Sequence, residues 1–290
     1  QEYINMAVAE YIGHDHNGKA IYERDENGNL TNIVKDDTKF IMDEIRRLNG
    51  HAPLKPKYTF TIEAQKVSEN DILVPRYYWS SKAKEIQKKA KAQQIKLIPI
   101  KQLIDEGVIS YFDGNGSPKS EFKGTGDYPY IRVKDSVNWQ IYKDPTAFIP
   151  QSVFDELYDE RKKLKPKDIL YVRRGSYRIG SVAMVSPYDI DVILTREILV
   201  LRIEDLNNHY GITPEYLLYA LSHKLVQEQS ENKVFIDTTL PNIASRWQEL
   251  FIPVYENKEV FESIKQKSSS VVGNQWKALK EMADFRKNFD

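Results

Sequence analysis

Arg173, Arg174 and Arg178 stand close together in the run Arg173-Arg174-Gly175-Ser176-Tyr177-Arg178. A guanidinium is a planar fork of donors that fits the oxygens of a phosphate or the O6 and N7 edge of guanine. The run lies between two segments rich in β-branched and aromatic residues, Asp168 to Val172 and Ile179 to Val185. It therefore reads as the tip of a β-hairpin that carries three guanidiniums outward. Lys134, Ser136 and Asn138 follow another strand-like segment, Tyr130 to Val133, and extend the same polar surface. The alternative left open by composition is that these cations are paired with the chain's many surface carboxylates.

Other clusters carry less chemistry. His14-Asp15-His16 has ligand types without a third or fourth ligand nearby, and reads as a solvated turn. Gly124-Thr125-Gly126 and Gly175 to Gly180 lack the Gly-Lys-Ser/Thr ending of a phosphate loop. Paired carboxylates such as Asp36-Asp37 or Asp189 with Asp191 are common on surfaces and carry no specificity without geometry, and neither a nucleophile elbow nor a His-Glu-x-x-His motif occurs. The expectation is no catalytic residue and no metal site.

The 290 residues hold 42 basic and 42 acidic side chains, so overall charge does not bind this chain to a polyanion. Distribution matters more: the first fifty residues lean acidic, whereas Lys82 to Lys96 and Arg173 to Arg178 are basic. The absence of cysteine removes disulfides and thiolate chemistry. With neither a membrane-length apolar run nor a signal-like leader, a cytoplasmic protein without membrane contact is expected. The chain opens at Gln1 and reads as a piece of something longer.

Four segments are expected: a tail over 1–56, a linker with a basic, exposed helix over 57–94, a mixed domain over 95–255 and a long helix over 256–290. In the first, Asn27-Gly28 marks a hairpin turn, and Phe40, Ile41, Ile45 and Leu48 recur at helical spacing over Asp37 to Leu48. His51 to Pro56 reads as a linker because two prolines remove donors. In the domain, strands at Tyr130 to Val133, Asp168 to Val172, Ile179 to Val185 and Ile198 to Ile203 alternate with helices. One helix is capped by Ser152 and runs over Val153 to Lys163; another opens at Thr213-Pro214 and runs to Gln227. The fold class is α/β (α+β): a mixed twisted sheet with flanking helices and a long C-terminal helix. That last helix carries Phe261, Ile264, Val271, Val272, Trp276, Leu279, Met282 and Phe285 along one side, and either meets a partner helix or folds back on its own domain.

The run from Asp168-Ile169-Leu170 through Arg174-Gly175-Ser176-Tyr177-Arg178-Ile179-Gly180 resembles the target recognition domain of a type I restriction-modification specificity subunit. Tyr130-Ile131-Arg132 ahead of it, the leucine-rich helix from Pro214, the loop Thr239-Leu240-Pro241-Asn242-Ile243 and the strand ending in Ile252-Pro253 follow the order of that family. The family's proline-proline and glutamate-glutamine pair is replaced by Pro253-Val254-Tyr255-Glu256. Met6 to Asp15, Gly18-Lys19, Tyr22 and Asp36-Asp37 are in turn similar to the closing segment of N6-adenine DNA methyltransferases of type I systems.

Together these resemblances imply a recognition domain fused behind a methyltransferase tail. Double-stranded DNA is the implied ligand, with Thr238, Thr239 and Asn242 joining Tyr177 and the arginines as contacts. The methyltransferase, a second recognition domain and a restriction subunit are the implied partners. The adenine-gripping Asn-Pro-Pro-Tyr/Phe motif and the glycine-rich S-adenosylmethionine motif do not occur in the sequence, so that cofactor is expected to belong to an upstream region. The competing readings are a helix-mediated protein-interaction module and a metal-dependent nuclease fragment.

Overall fold

The computed structural model describes residues 2–15, 18–48, 56–175, 178–234 and 241–289. The predicted linker at His51 to Pro56 lies almost wholly outside them. Two compact units divide the chain, Gln1–Glu85 and Ile86–Asp290.

In the first unit, β1 (Tyr3–Ala7) pairs with a strand nearly sixty residues away, and Asp25 organises the intervening hairpin of β2 (Tyr22–Arg24) and β3 (Leu30–Val34). The Asp25 carboxylate accepts from the Asn27 and Asn29 amides at 2.9 and 2.8 Å, as expected of an Asx turn. After α1 (Thr38–Leu48) comes β4 (Thr59–Glu63), antiparallel to β1 with Tyr3 opposite Glu63, then α2 (Ala64–Asn70). Two carboxylates fasten this unit. Glu44 accepts the amides of Lys57, Tyr58 and Thr59, and buried Asp37 accepts those of Glu10 and Tyr11 and the Tyr58 hydroxyl. Val8, Tyr58 and Trp79 form its core. Residues 57–79 are thus part of the first unit, which corrects the expectation of a linker from 57 to 94.

The division falls within α3 (Ser80–Ala92). This helix corrects a second expectation, since Ile86 and Ala90 are buried against Ile95 and Leu225, and Lys89 meets Glu228 at 2.9 Å. A lysine-rich composition set its helical tendency, but two apolar residues four apart gave it a packed face.

The second unit is mixed α/β. After β5 (Ile95–Pro99), α4 (Ile100–Asp105), β6 (Ile109–Asp113), β7 (Tyr130–Ile131), β8 (Ser136–Val137), β9 (Gln140–Ile141) and α5 (Gln151–Leu157) come β10 (Ile169–Val172), β11 (Val182–Met184), β12 (Ile193–Leu194) and β13 (Ile198–Ile203). The central sheet has the order β11-β10-β13-β6 and is antiparallel throughout. Every residue of β10 is buried: Ile169 and Tyr171 pack in one apolar cluster, Leu170 and Val172 in another. A strand covered on both faces reads as a continuous apolar run, as this one does. β7 and β12 add a parallel pair.

Helix α5 begins earlier than predicted, with Pro150 before its first turn and Ser152 inside it rather than capping it, and ends at Leu157, short of the predicted Lys163. Thr213 does cap α6 (Pro214–Ser222), accepting from the Tyr216 amide at 3.2 Å. The predicted single helix to Gln227 is broken at His223, whose extended backbone ends α6 and whose Nδ1 accepts from the Leu225 amide to start α7 (Lys224–Lys233). β14 (Phe251–Tyr255) pairs with β5, and α8 (Lys258–Phe289) follows as one unbroken helix of 32 residues, about 48 Å long. The first part of α8 folds back on its own domain. Phe261 and Val272 are buried in the main core beside Ile264 and Trp276, whereas Met282 and Phe285 are exposed. Among the described residues no helix is long and apolar enough to cross a membrane.

Candidate nucleic-acid interface

The loop joining β10 to β11 begins where the ladder closes, with Val172 donating to Ser181 and Gly180 to Val172, each at 2.9 Å. The predicted hairpin is therefore present, but its first residues do not stand free as a tip. The Arg173 amide donates to Glu197, its carbonyl accepts from Ile243, and Gly175 donates to Pro241, all at 3.0 Å. Arg174 and Asn242 thus lie opposite each other in an antiparallel bridge, so two segments far apart in sequence become neighbours. A third segment closes on them: a Cβ placed on Gly175, whose φ is +100°, would lie 3.5 Å from Val133.

The three arginines have different fates, which corrects the picture of three outward guanidiniums. Arg173 is ion-paired with Asp113 at 3.0 Å and only a quarter exposed. Arg174 is exposed and, among the described residues, has no hydrogen-bond or ion-pair partner. Arg178 is half-buried and lines a cleft with Ser136 and Asn138. Tyr177, Thr238 and Thr239 lie outside the described residues, as do Ser176 and His16. Asn242 is at the surface of the bridge; its Oδ1 accepts from the Ala244 amide at 2.7 Å, which leaves the Nδ2 donor available.

The segment holding Lys134, Ser136 and Asn138 is set by a clamp. Arg132 donates from Nε and Nη2 to Asp135 at 2.8 and 3.0 Å and from Nη2 also to Asp144, while Asp135 accepts the Arg132 amide at 2.8 Å. Hydrogen bonds to these carboxylates raise the guanidinium's pKa, with Asp135 the larger cause. Asp144 is held well below the usual carboxylate range by its bonds to Thr146 and then by Arg132. Lys134 reaches Asp144 at 3.5 Å yet remains more than half exposed. The surface-pairing alternative therefore describes Arg173 fully, Lys134 loosely and Arg174 not at all.

Beyond the clamp, β8 and β9 are joined by Asn138 and Trp139, with φ +50° and +67°. Two positive φ values in a two-residue connection are those of a type I′ turn. Asn accepts this conformation readily; a bulky Trp does so only when its surroundings over-determine it. Here Trp139 Nε1 donates to Ser222 Oγ at 2.7 Å, its carbonyl accepts from Met184 at 2.9 Å, and Gln275 of α8 donates to the Asn138 carbonyl at 3.3 Å. Opposite, Gly180 has φ +88°, and a Cβ there would come within 2.8 Å of Gln227 Oε1. Trp139, Ser222 and Gln227 were not foreseen from sequence, and the only signal was Asn138 in the first position of a turn.

Of the predicted residues, the structure brings together Arg174 with Asn242, and Arg178 with Ser136 and Asn138. Among the described residues no group of three or more His, Cys, Asp or Glu is placed to hold a metal ion.

No protein-family model matches the chain, and no curated protein is matched by it. Among solved structures it is similar to the S subunit of a type I restriction-modification system from M. genitalium, with 19% identity and a TM-score of 0.43 over 67% of this chain and 43% of that one. It is also similar to a chain from a structural study of complex assembly and conformational transition of the type I restriction-modification system (15% identity, TM-score 0.39, 87% of this chain and 65% of that one). A third likeness is to the HsdS subunit from Thermoanaerobacter tengcongensis (14% identity, TM-score 0.36, 87% and 59%). The chain spans less than half the length of the first of these and under two thirds of the other two.

Proposed function

We propose that the unit from Ile86 onward recognises a short sequence in double-stranded DNA, reading one half of a bipartite site, and so directs an attached N6-adenine methyltransferase. The observation that carries this reading is the convergence of three segments remote in sequence. The segments at 133–139, 173–175 with 178–180, and 241–243 meet through the Arg174–Asn242 bridge, the Gly175–Val133 approach and the cleft shared by Arg178, Ser136 and Asn138. They present an unpaired guanidinium, an amide donor and a second guanidinium together, which are the groups that contact guanine, adenine and phosphate. The resemblance carried by Asp168 to Gly180 supports the same reading. In this reading S-adenosylmethionine is bound by the methyltransferase and not by these residues. The exposed end of α8 with Met282 and Phe285 pairs with a helix of that methyltransferase or of a second recognition domain, and a restriction subunit completes the assembly.

Selection from a randomised duplex pool, followed by sequencing, tests the proposal. Enrichment of a short motif is expected. Arg174→Ala should then cost about 1–3 kcal/mol on the selected duplex and relax the motif at one position, with little change on unrelated DNA. No enrichment, with indifference to DNA at low salt, would leave the exposed α8 surface as the working part of the molecule.

A further inference from the structure

The cleft between the β8–β9 turn and α6 has a volume of about 310 Å³. Ser136 lines it at 1% exposure, and among the described residues its Oγ has no hydrogen-bond partner. A buried hydroxyl left in this state opposes folding, because it gave up water and received nothing in return. Two other polar side chains of the wall are engaged within the protein. Ser222 Oγ accepts from Trp139 and donates to Leu218, and the Gln227 amide donates to Gly180 and Leu221. Asp135, the chain neighbour of Ser136, is spent on Arg132. Among the described residues no carboxylate lines the cleft, and Arg178 is the one charged residue that does.

A wall whose described residues supply a buried hydroxyl donor and a guanidinium, and no acid, suits an anion. Base edges lie on the floor of a groove and do not reach a hydroxyl sunk in a protein cleft, whereas a phosphate projects from the duplex. We infer that this cleft seats one backbone phosphate of the bound duplex, with Ser136 and Arg178 supplying the donors. The inference rests on the DNA-binding reading above and divides its residues by task. Ser136 and Arg178 fix register without reading sequence, while Arg174 beside Asn242 contacts base edges.

The test measures binding of the full chain, over a salt series, to the pool-selected duplex and to an unrelated duplex of equal length. Ser136→Ala is expected to weaken both by the same factor, about tenfold, while the melting temperature stays level or rises, since the hydroxyl has no partner to lose. Arg178→Gln is expected to weaken both and to lower the slope of log affinity against log salt by about one. A loss confined to the selected duplex would make these residues base readers and overturn the assignment. A lower melting temperature with unchanged affinity in Ser136→Ala would overturn it equally. If the wild-type chain binds neither duplex at low salt, the DNA-binding reading fails; if it binds both and the variants match it, only the phosphate seat fails.

Discussion

Arg132→Ala removes the group that ties the β7 end to the 135 and 144 positions, and the cost follows from what it leaves behind. The Asp135 side chain is 2% exposed and takes two bonds from the guanidinium. Deleting one partner of a buried pair costs about 3–5 kcal/mol, because the remaining charge is stranded away from water. Two features pull the figure down here: the Arg132 side chain is itself 22% exposed, and Asp135 keeps the Arg132 amide. We expect about 2–3 kcal/mol, which for a unit of this size lowers the melting temperature by roughly 5–10 °C. Calorimetric unfolding of the full chain reads this directly. Asp135→Asn in the Arg132→Ala background should recover part of the loss, since it removes the stranded charge. A drop of less than about 2 °C, or an Asp135→Asn penalty that simply adds to the first, would refute the clamp.

Two further outcomes follow from the same framework. Burial holds the His223 pKa below its ordinary value, and its Nδ1 accepts from the Leu225 amide, so the folded form needs the neutral ring. The unfolded chain takes up the proton first as pH falls, so stability should be flat above about pH 7.5 and decline below about 6.5. His223→Asn, which can still cap α7, should lose that part of the decline in melts at several pH values; equal slopes would contradict the assignment. Trp139→Phe keeps the ring but deletes the bond to Ser222, and should cost about 1–2 kcal/mol in denaturant unfolding. A neutral result would mean that packing and the backbone bonds from Met184 and Gln275 hold the turn at positive φ without the indole bond.

Much of the architecture was legible because it is written in local patterns. The all-apolar β10, the Thr213-Pro214 cap, the Asp25 turn and the apolar stripe of α8 are decided within a few residues of one another. What was not legible depends on partners far along the chain. Lysine-rich α3 reads as exposed until Leu225 is brought against Ile86, and 57–79 reads as a linker until β4 finds β1 across more than fifty residues. His223 breaks a helix that its neighbours would continue, since its side chain can cap the next one.

The candidate interface shows the same division more sharply. Composition identifies Arg173 and Arg174 as equivalent, yet successive residues of an extended segment point to opposite sides. One of them therefore meets whatever borders the sheet, and the other does not. Asp113, at the end of β6 and sixty residues upstream, decides which: it takes Arg173 and leaves Arg174 beside Asn242. In the proposed DNA-binding reading, the arginine offered to a base is thus selected by a carboxylate that contacts none. Replacing Asp113 with Asn should weaken the hold on Arg173 and add a second, less fixed guanidinium to the surface. Its expected signature is stronger binding to all duplexes, with poorer discrimination between them and a steeper salt dependence. Unchanged discrimination with unchanged salt slope would show that the pair has no part in shaping the interface.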